Sequence, residues 1–204
     1  MSKPSIIRRL ISAFRRPSVR WGAGTLVVSG VVAGALLWAG FITVVDATGS
    51  EEFCTSCHEM NAFVYQEYKA SVHYISRSGV RPKCDSCHVP HEFFPKIARK
   101  IRATLVEVPS HLMGTIDTRE KFEAKREELA RNVWAEMEAN DSEPCRGCHE
   151  TDHMALEEQE LRARREHEEG FARGDTCIDC HKGIAHKLPD AFLEEQAEEV
   201  EFDF

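Results

Sequence analysis

The chain has no stray cysteine. All eight fall into four pairs with two residues between them: Cys54/Cys57, Cys84/Cys87, Cys145/Cys148 and Cys177/Cys180. It has no basic surplus either. Lys and Arg number 26 against 34 Asp and Glu, a net charge of -8. That excludes a nucleic-acid reader, because phosphate binding needs clustered Lys and Arg. After residue 45 there is no second long hydrophobic run, so a multi-span protein is excluded. No strand pattern is visible, which removes a thioredoxin-like reading that needs one Cys-x-x-Cys on a βαβ unit. Residues 1–20 contain no acid, residues 22–45 no charge, and residues 190–204 no base.

The uncharged run comes first. Twenty-four helical residues rise about 36 Å, against about 30 Å for the hydrocarbon core of a bilayer. The run is longer than a signal-peptide core, and no clear A-x-A site follows it. The sequence therefore predicts a single membrane helix over 21–45. Before it, Lys3, Arg8, Arg9, Arg15, Arg16 and Arg20 face no acid; after it come Asp46, Glu51 and Glu52. The positive-inside rule puts 1–20 in the cytoplasm and the rest on the periplasmic side of a bacterial inner membrane.

Each cysteine pair is followed at once by histidine, giving CTSCH, CDSCH, CRGCH and CIDCH with His58, His88, His149 and His181. Cys-x-x-Cys-His is the attachment signature of c-type haem. Two thiols three positions apart add to the two vinyl groups of one porphyrin, and the next His reaches the iron. Disulfides do not demand His after each pair. Tetrahedral zinc leaves four adjacent His unexplained. Four c-type haems are expected.

An iron that only carries electrons is best saturated with a second axial ligand. Six His lie outside the motifs. A repeat selects four of them: His73 and His91 in the first half, His167 and His186 in the second. The head then reads as two duplicated dihaem units, about 46–115 and 140–189, inside a periplasmic domain 46–189. A helix over 118–139 links them, with Asp117 and Glu120 as an acidic capping box and Phe122, Leu129, Val133 and Met137 as its apolar stripe. A second charged helix is expected over 154–172. His153 is a rival to His167, and His111 reads as a polar loop residue. The acidic segment 190–204 reads as a disordered, solvated tail. The fold class is mainly α with extensive loops, one N-terminal transmembrane helix and a multihaem cytochrome c head.

The elements "CTSCHEM", "SVHYISRSGVRPKCDSCHVPH", "KIARKI", "GTIDTREKFEAKREELA" and "CIDCHKGIAHKLP" resemble the NapC/NirT family of membrane-anchored tetrahaem quinol dehydrogenases. The last three look closer to members that serve a periplasmic nitrate reductase than to the shorter nitrite reductase partners. The resemblance implies electrons taken from menaquinol or ubiquinol and passed to a periplasmic reductase or its cytochrome subunit, in anaerobic respiration. It places a quinol site near Lys100 and Glu107, which share a face if the helix is regular; Lys96 is a weaker member. It also allows Met60, in CxxCHxM, to bind the first iron in place of His58. A different class of function, a terminal reductase acting on a small oxyanion at an open haem, is opposed by a His supply that saturates nearly every iron. The purified full-length protein is expected to show the absorbance bands of c-type haem; a spectrum without them would revive a zinc-stabilised membrane interaction domain.

Overall fold

The computed structural model describes residues 6–7 and 21–202. The basic segment expected at 1–20 lies outside them apart from Ile6 and Ile7. The chain divides into two compact units, residues 1–46 and 47–204.

In the first unit α1 begins; it runs Ala23–Ala47. Its mean hydropathy is 2.1, and it is the one described helix long and apolar enough to cross a membrane. The sequence places it two residues earlier at each end. Val and Ala are its commonest residues, and most of its Leu, Val and Phe side chains are exposed, which suits a helix solvated by lipid rather than by protein.

The second unit contains no strand among the described residues. Its elements are α2 (Glu51–Cys54), a π turn Met60–Val64 running into α3 (Tyr65–Lys69), and α4 (Cys84–His88). Next come α5 (Phe93–Arg102), a second π turn Ala103–Glu107 and α6 (Val108–Leu112), which form one continuous helical stretch. The longest helix, α7, spans Arg119–Ala139. After it come α8 (Glu143–Arg146), two 3-10 turns at Thr151–His153 and Leu156–Glu158, α9 (Leu161–Arg173), α10 (Cys177–Cys180) and α11 (Asp190–Phe202).

The linking helix is found where expected, but its cap differs. Thr118 is the N-cap, its hydroxyl accepting from Lys121 N at 3.3 Å, while Asp117 pairs with Lys121 Nζ at 2.7 Å. A hydroxyl at the N-cap satisfies one of the orphan amides of the first turn. The second charged helix starts at Leu161 rather than at 154, because the two 3-10 turns occupy the intervening residues. It ends on Gly174, whose φ of 81° is the left-handed conformation that glycine adopts freely.

Apolar side chains contribute a thin core. In the head only Phe63, Tyr68, Phe122 and Ile178 are buried among the described hydrophobic residues. Phe63 stacks on Phe122 with centroids 5.1 Å apart, and Arg126 covers the other side of Phe122 at 4.7 Å. Arg126 is itself buried. It donates to Glu67 at 2.6 and 3.0 Å, to Glu123 at 2.5 Å and to the Lys187 carbonyl at 3.2 Å. One guanidinium thus binds α7 to α3 and to the loop after α10, using the planar fork that suits carboxylates.

The acidic end is not a disordered tail through residue 202. Phe192 of α11 packs on Trp134 of α7 at 4.9 Å, Lys182 lies over both rings, and Arg131 pairs with Glu195 at 2.7 Å. A charge run read alone hides the Phe192–Trp134 contact and the Arg131–Glu195 salt bridge that hold it.

Burial pushes the Glu67 carboxyl up, but hydrogen bonds from Arg126 and from Lys187 N outweigh it and hold it below the ordinary value. A depressed carboxyl stabilises the fold above its unfolded pKa of about 4.3, and that stability is lost as pH falls through the folded value. Arg126→Ala leaves Glu67 buried without its partner, so a loss of about 3–5 kcal/mol is expected. Thermal unfolding of the variant at neutral pH checks this, and the difference from wild type should shrink at acid pH as Glu67 protonates.

Candidate functional site: four Cys-x-x-Cys-His motifs and their histidine partners

Each motif sits on or beside a short helix whose start is pinned locally. In the second, Ser86 Oγ accepts from Lys83 N at 3.1 Å. In the fourth, Asp179 Oδ2 accepts from Thr176 N at 2.7 Å. The residue before the second Cys therefore caps the motif helix in both cases. The third motif follows a sharp turn in which Asp141 and Ser142 have φ of 55° and 52°. Ser142 is fully buried, and its hydroxyl accepts from Ile178 N at 3.1 Å, tying the third motif to the fourth.

All eight cysteines are unbridged. Their thiols meet motif to motif. Cys54 and Cys84 share a hydrogen bond, which with the nearby Lys100 charge brings Cys54 down to about 7. Cys87 lies close enough to Cys148 to feel its charge. Burial pushes Cys145 up to about 11, and Cys177 lies beside it. The first motif therefore neighbours the second, the second the third, and the third the fourth.

Each motif histidine has a histidine ring from elsewhere in the chain within 6.3 Å, His58 having His111 at 6.1 Å. His88 and His186 have ring centroids 6.1 Å apart, His149 and His73 6.3 Å, and His181 and His167 5.8 Å. Two imidazoles on opposite sides of one metal have centroids about 6 Å apart, given about 2 Å for each metal–nitrogen bond and about 1.1 Å from nitrogen to ring centre. Burial lowers His88 to about 4 and lowers His186 and His181 as well, so all three favour the neutral form that binds a metal. His167 Nδ1 donates to Gln159 Oε1 at 2.6 Å, which leaves Nε2 as the acceptor. His73 Nδ1 is buried with no hydrogen-bond partner. The donor set fits covalently attached haem: paired thiols, a His after each pair, and a second His ring about 6 Å from it.

The first motif is different. His58 Nε2 lies 2.8 Å from the Asp117 carbonyl, and Nδ1 lies 3.3 Å from Glu59. Glu59 is 2 % exposed and bonds His111 Nδ1 at 2.6 Å. Burial pushes the Glu59 carboxyl up, yet the His111 hydrogen bond and the His58 and His111 charges hold it below the ordinary value. His111 thus belongs to this cluster, with its ring 6.1 Å from His58. Its lack of a counterpart in the second half made it read as a loop residue. Met60 opens the first π turn, a distortion frequent at functional sites.

His91 is not brought to any motif His. It is half exposed and bonds Glu143 at 3.0 Å, beside Gly147 of the third motif. His153 is exposed and pairs with Glu150. The repeat spacing favoured His91 because local order cannot show which half supplies a ligand. His73, from the first half, faces the third motif, and His186, from the second, faces the second motif. Histidines thus cross between the segments 46–115 and 140–189, for which two duplicated dihaem units are expected.

Lys100 and Glu107 are not brought together either. The π turn at Ala103–Glu107 inserts one residue into the helical register, so Glu107 meets Arg99, at 2.8 Å, instead of Lys100. Lys100 Nζ donates to Thr48 Oγ1 at 2.9 Å.

Residues 16–191 match the "NapC/NirT cytochrome c family, N-terminal region". The chain belongs to that family. It is 50 % identical over 188 residues to the cytochrome c-type protein NapC of Escherichia coli K12, covering 92 % of this chain and 93 % of that one. It is equally similar to the denitrification system component NirT of Stutzerimonas stutzeri, with 91 % and 92 % covered. It is 45 % identical to the cytochrome c-type protein TorC of Escherichia coli K12, of which it spans 47 %. No solved structure matches. Membership in a cytochrome c family implies covalently bound haem, and the apolar α1 agrees with membrane anchoring.

Proposed function

We propose that this NapC/NirT family chain takes electrons from membrane quinol and passes them to a periplasmic reductase, nitrate reductase being favoured by the NapC relatives. The observation that carries this reading is the set of three opposed His pairs, strung together by neighbouring cysteines. Four c-type haems, one on each motif, would supply a row of one-electron carriers. His88 with His186, His149 with His73 and His181 with His167 saturate three of the sites. Saturated sites exclude an oxyanion substrate, which speaks against a terminal reductase.

The first motif is the entry. His58 Nε2 is held by the Asp117 carbonyl, which favours Met60 as the iron ligand there, with His111 oriented by Glu59 beside it. A thioether favours the reduced metal. The Lys100 charge reaches Cys54 of this motif, and Lys100 bonds the residue just past α1. Quinol oxidation releases protons, so acid and base groups are needed at this place. Lys100 and Glu107 take that part, Lys96 is a weaker member, and Arg99 holds the Glu107 carboxylate. The charge asymmetry around α1 orients the head outward, with the N-terminus cytoplasmic, in the bacterial inner membrane.

Two outcomes follow. His73→Ala opens the third site, so a new high-spin signal is expected by electron paramagnetic resonance, whereas His91→Ala leaves the spin states as in the wild type; a new high-spin signal in His91→Ala would overturn the assignment. Lys100→Ala and Glu107→Ala each slow haem reduction by quinol by about 10²-fold while reduction by dithionite and haem content stay normal. Unchanged quinol-driven rates in both would end the quinol-site assignment.

A further inference from the structure

The helical stretch 93–112 carries apolar side chains that no part of the head covers. Phe94 is 80 % exposed and Leu105 70 %, and Ile101, Val106 and Val108 are each half exposed or more. Apolar residues scattered singly on a surface need no explanation, but five exposed ones within fifteen residues of one helical stretch do. The charge of the same stretch is opposite to that of the protein. Lys96, Arg99, Lys100 and Arg102 stand against one acid, Glu107, in a chain of net charge -8. Arg102 is well exposed, its nearest acid being Glu136 at 3.9 Å. A helix with exposed apolar side chains and cationic neighbours suits the boundary between acyl chains and anionic headgroups.

A third observation locates that boundary. Lys100 bonds Thr48, the residue that follows the end of α1 at Ala47. The stretch is therefore fastened to the point where the chain leaves its apolar helix. The π turn Ala103–Glu107 sits inside it and resets the register, so Leu105 and Val106 are both exposed.

We infer that residues 93–108 form a second membrane contact, lying in the headgroup region of an anionic phospholipid bilayer with Phe94, Ile101, Leu105, Val106 and Val108 dipped toward the acyl chains and Lys96 and Arg102 on the phosphates. The contact shares Lys96 with the proposed quinol site and flanks Lys100 and Glu107, but its test reads lipid contact and not electron transfer. It holds the head against the bilayer surface.

The test uses the full-length, haem-loaded protein in liposomes of phosphatidylethanolamine and phosphatidylglycerol. A photoreactive benzoylphenylalanine replaces Leu105 in one sample and Leu161 of α9, 85 % exposed, in another. After irradiation the lipid adducts are measured by mass spectrometry. The inference predicts a several-fold excess of phospholipid adduct at 105 over 161, reduced when phosphatidylglycerol is omitted. Equal adducts at the two positions, or none at 105, would overturn it. So would an adduct at 105 to an added periplasmic reductase with no lipid adduct. If the 105 variant fails to acquire haem, Val106 takes its place with the same expected outcomes.

Discussion

The head depends on opposed histidine pairs drawn from opposite ends of the chain. His88 of the first half needs His186 of the second; His149 of the second half needs His73 of the first. An imidazole pair at about 6 Å has little stability of its own. Its effect lies in the constraint it sets, because both rings must stay on a common axis for one metal to satisfy them. The rest of the fold reads as support for that alignment. Arg126 ties α7 to α3 and to the loop carrying His186. Ser142 locks the third motif to the fourth. Gln159 and Phe171 fix the ring of His167. With so few buried apolar side chains, these polar ties and the haem itself supply the cohesion that a small domain needs.

The first motif departs from this pattern, and the departure has a physical logic. A carrier in the middle of a row gains from symmetry and saturation. On the proposed reading it is an entry point, which must face a two-electron donor that sheds protons. Here the protein holds His58 Nε2 on a backbone carbonyl, buries a carboxylate beside two histidines, interrupts two helices with π turns and brings the Lys100 charge to Cys54. Such local irregularities cost stability and persist where geometry matters more than strength.

Much of this was legible in the sequence. Four Cys-x-x-Cys-His motifs announce their chemistry because covalent attachment fixes the spacing. An uncharged run of 24 residues announces a membrane helix by length alone. The histidine partners were legible only in kind. His73, His167 and His186 each come within 6.3 Å of a motif histidine, yet the motif each one faces depends on how the halves cross, and no local signal carries that. His91 had the right spacing and the wrong neighbour, and His111 had no repeat partner to flag it. Lys100 and Glu107 are seven apart on a regular helix, but one inserted residue at Ala103–Glu107 hands Glu107 to Arg99. The segment 190–202 reads as solvated charge until Phe192 finds Trp134.

The central claim is that three sites carry two histidines each and the first does not. Near-infrared magnetic circular dichroism of the oxidised full-length protein tests it most directly, because the low-spin ferric charge-transfer band reports the axial pair. The account predicts His/His bands from three of the four haems and a distinct signal from the first. Four equivalent His/His haems, or fewer than three, would contradict it.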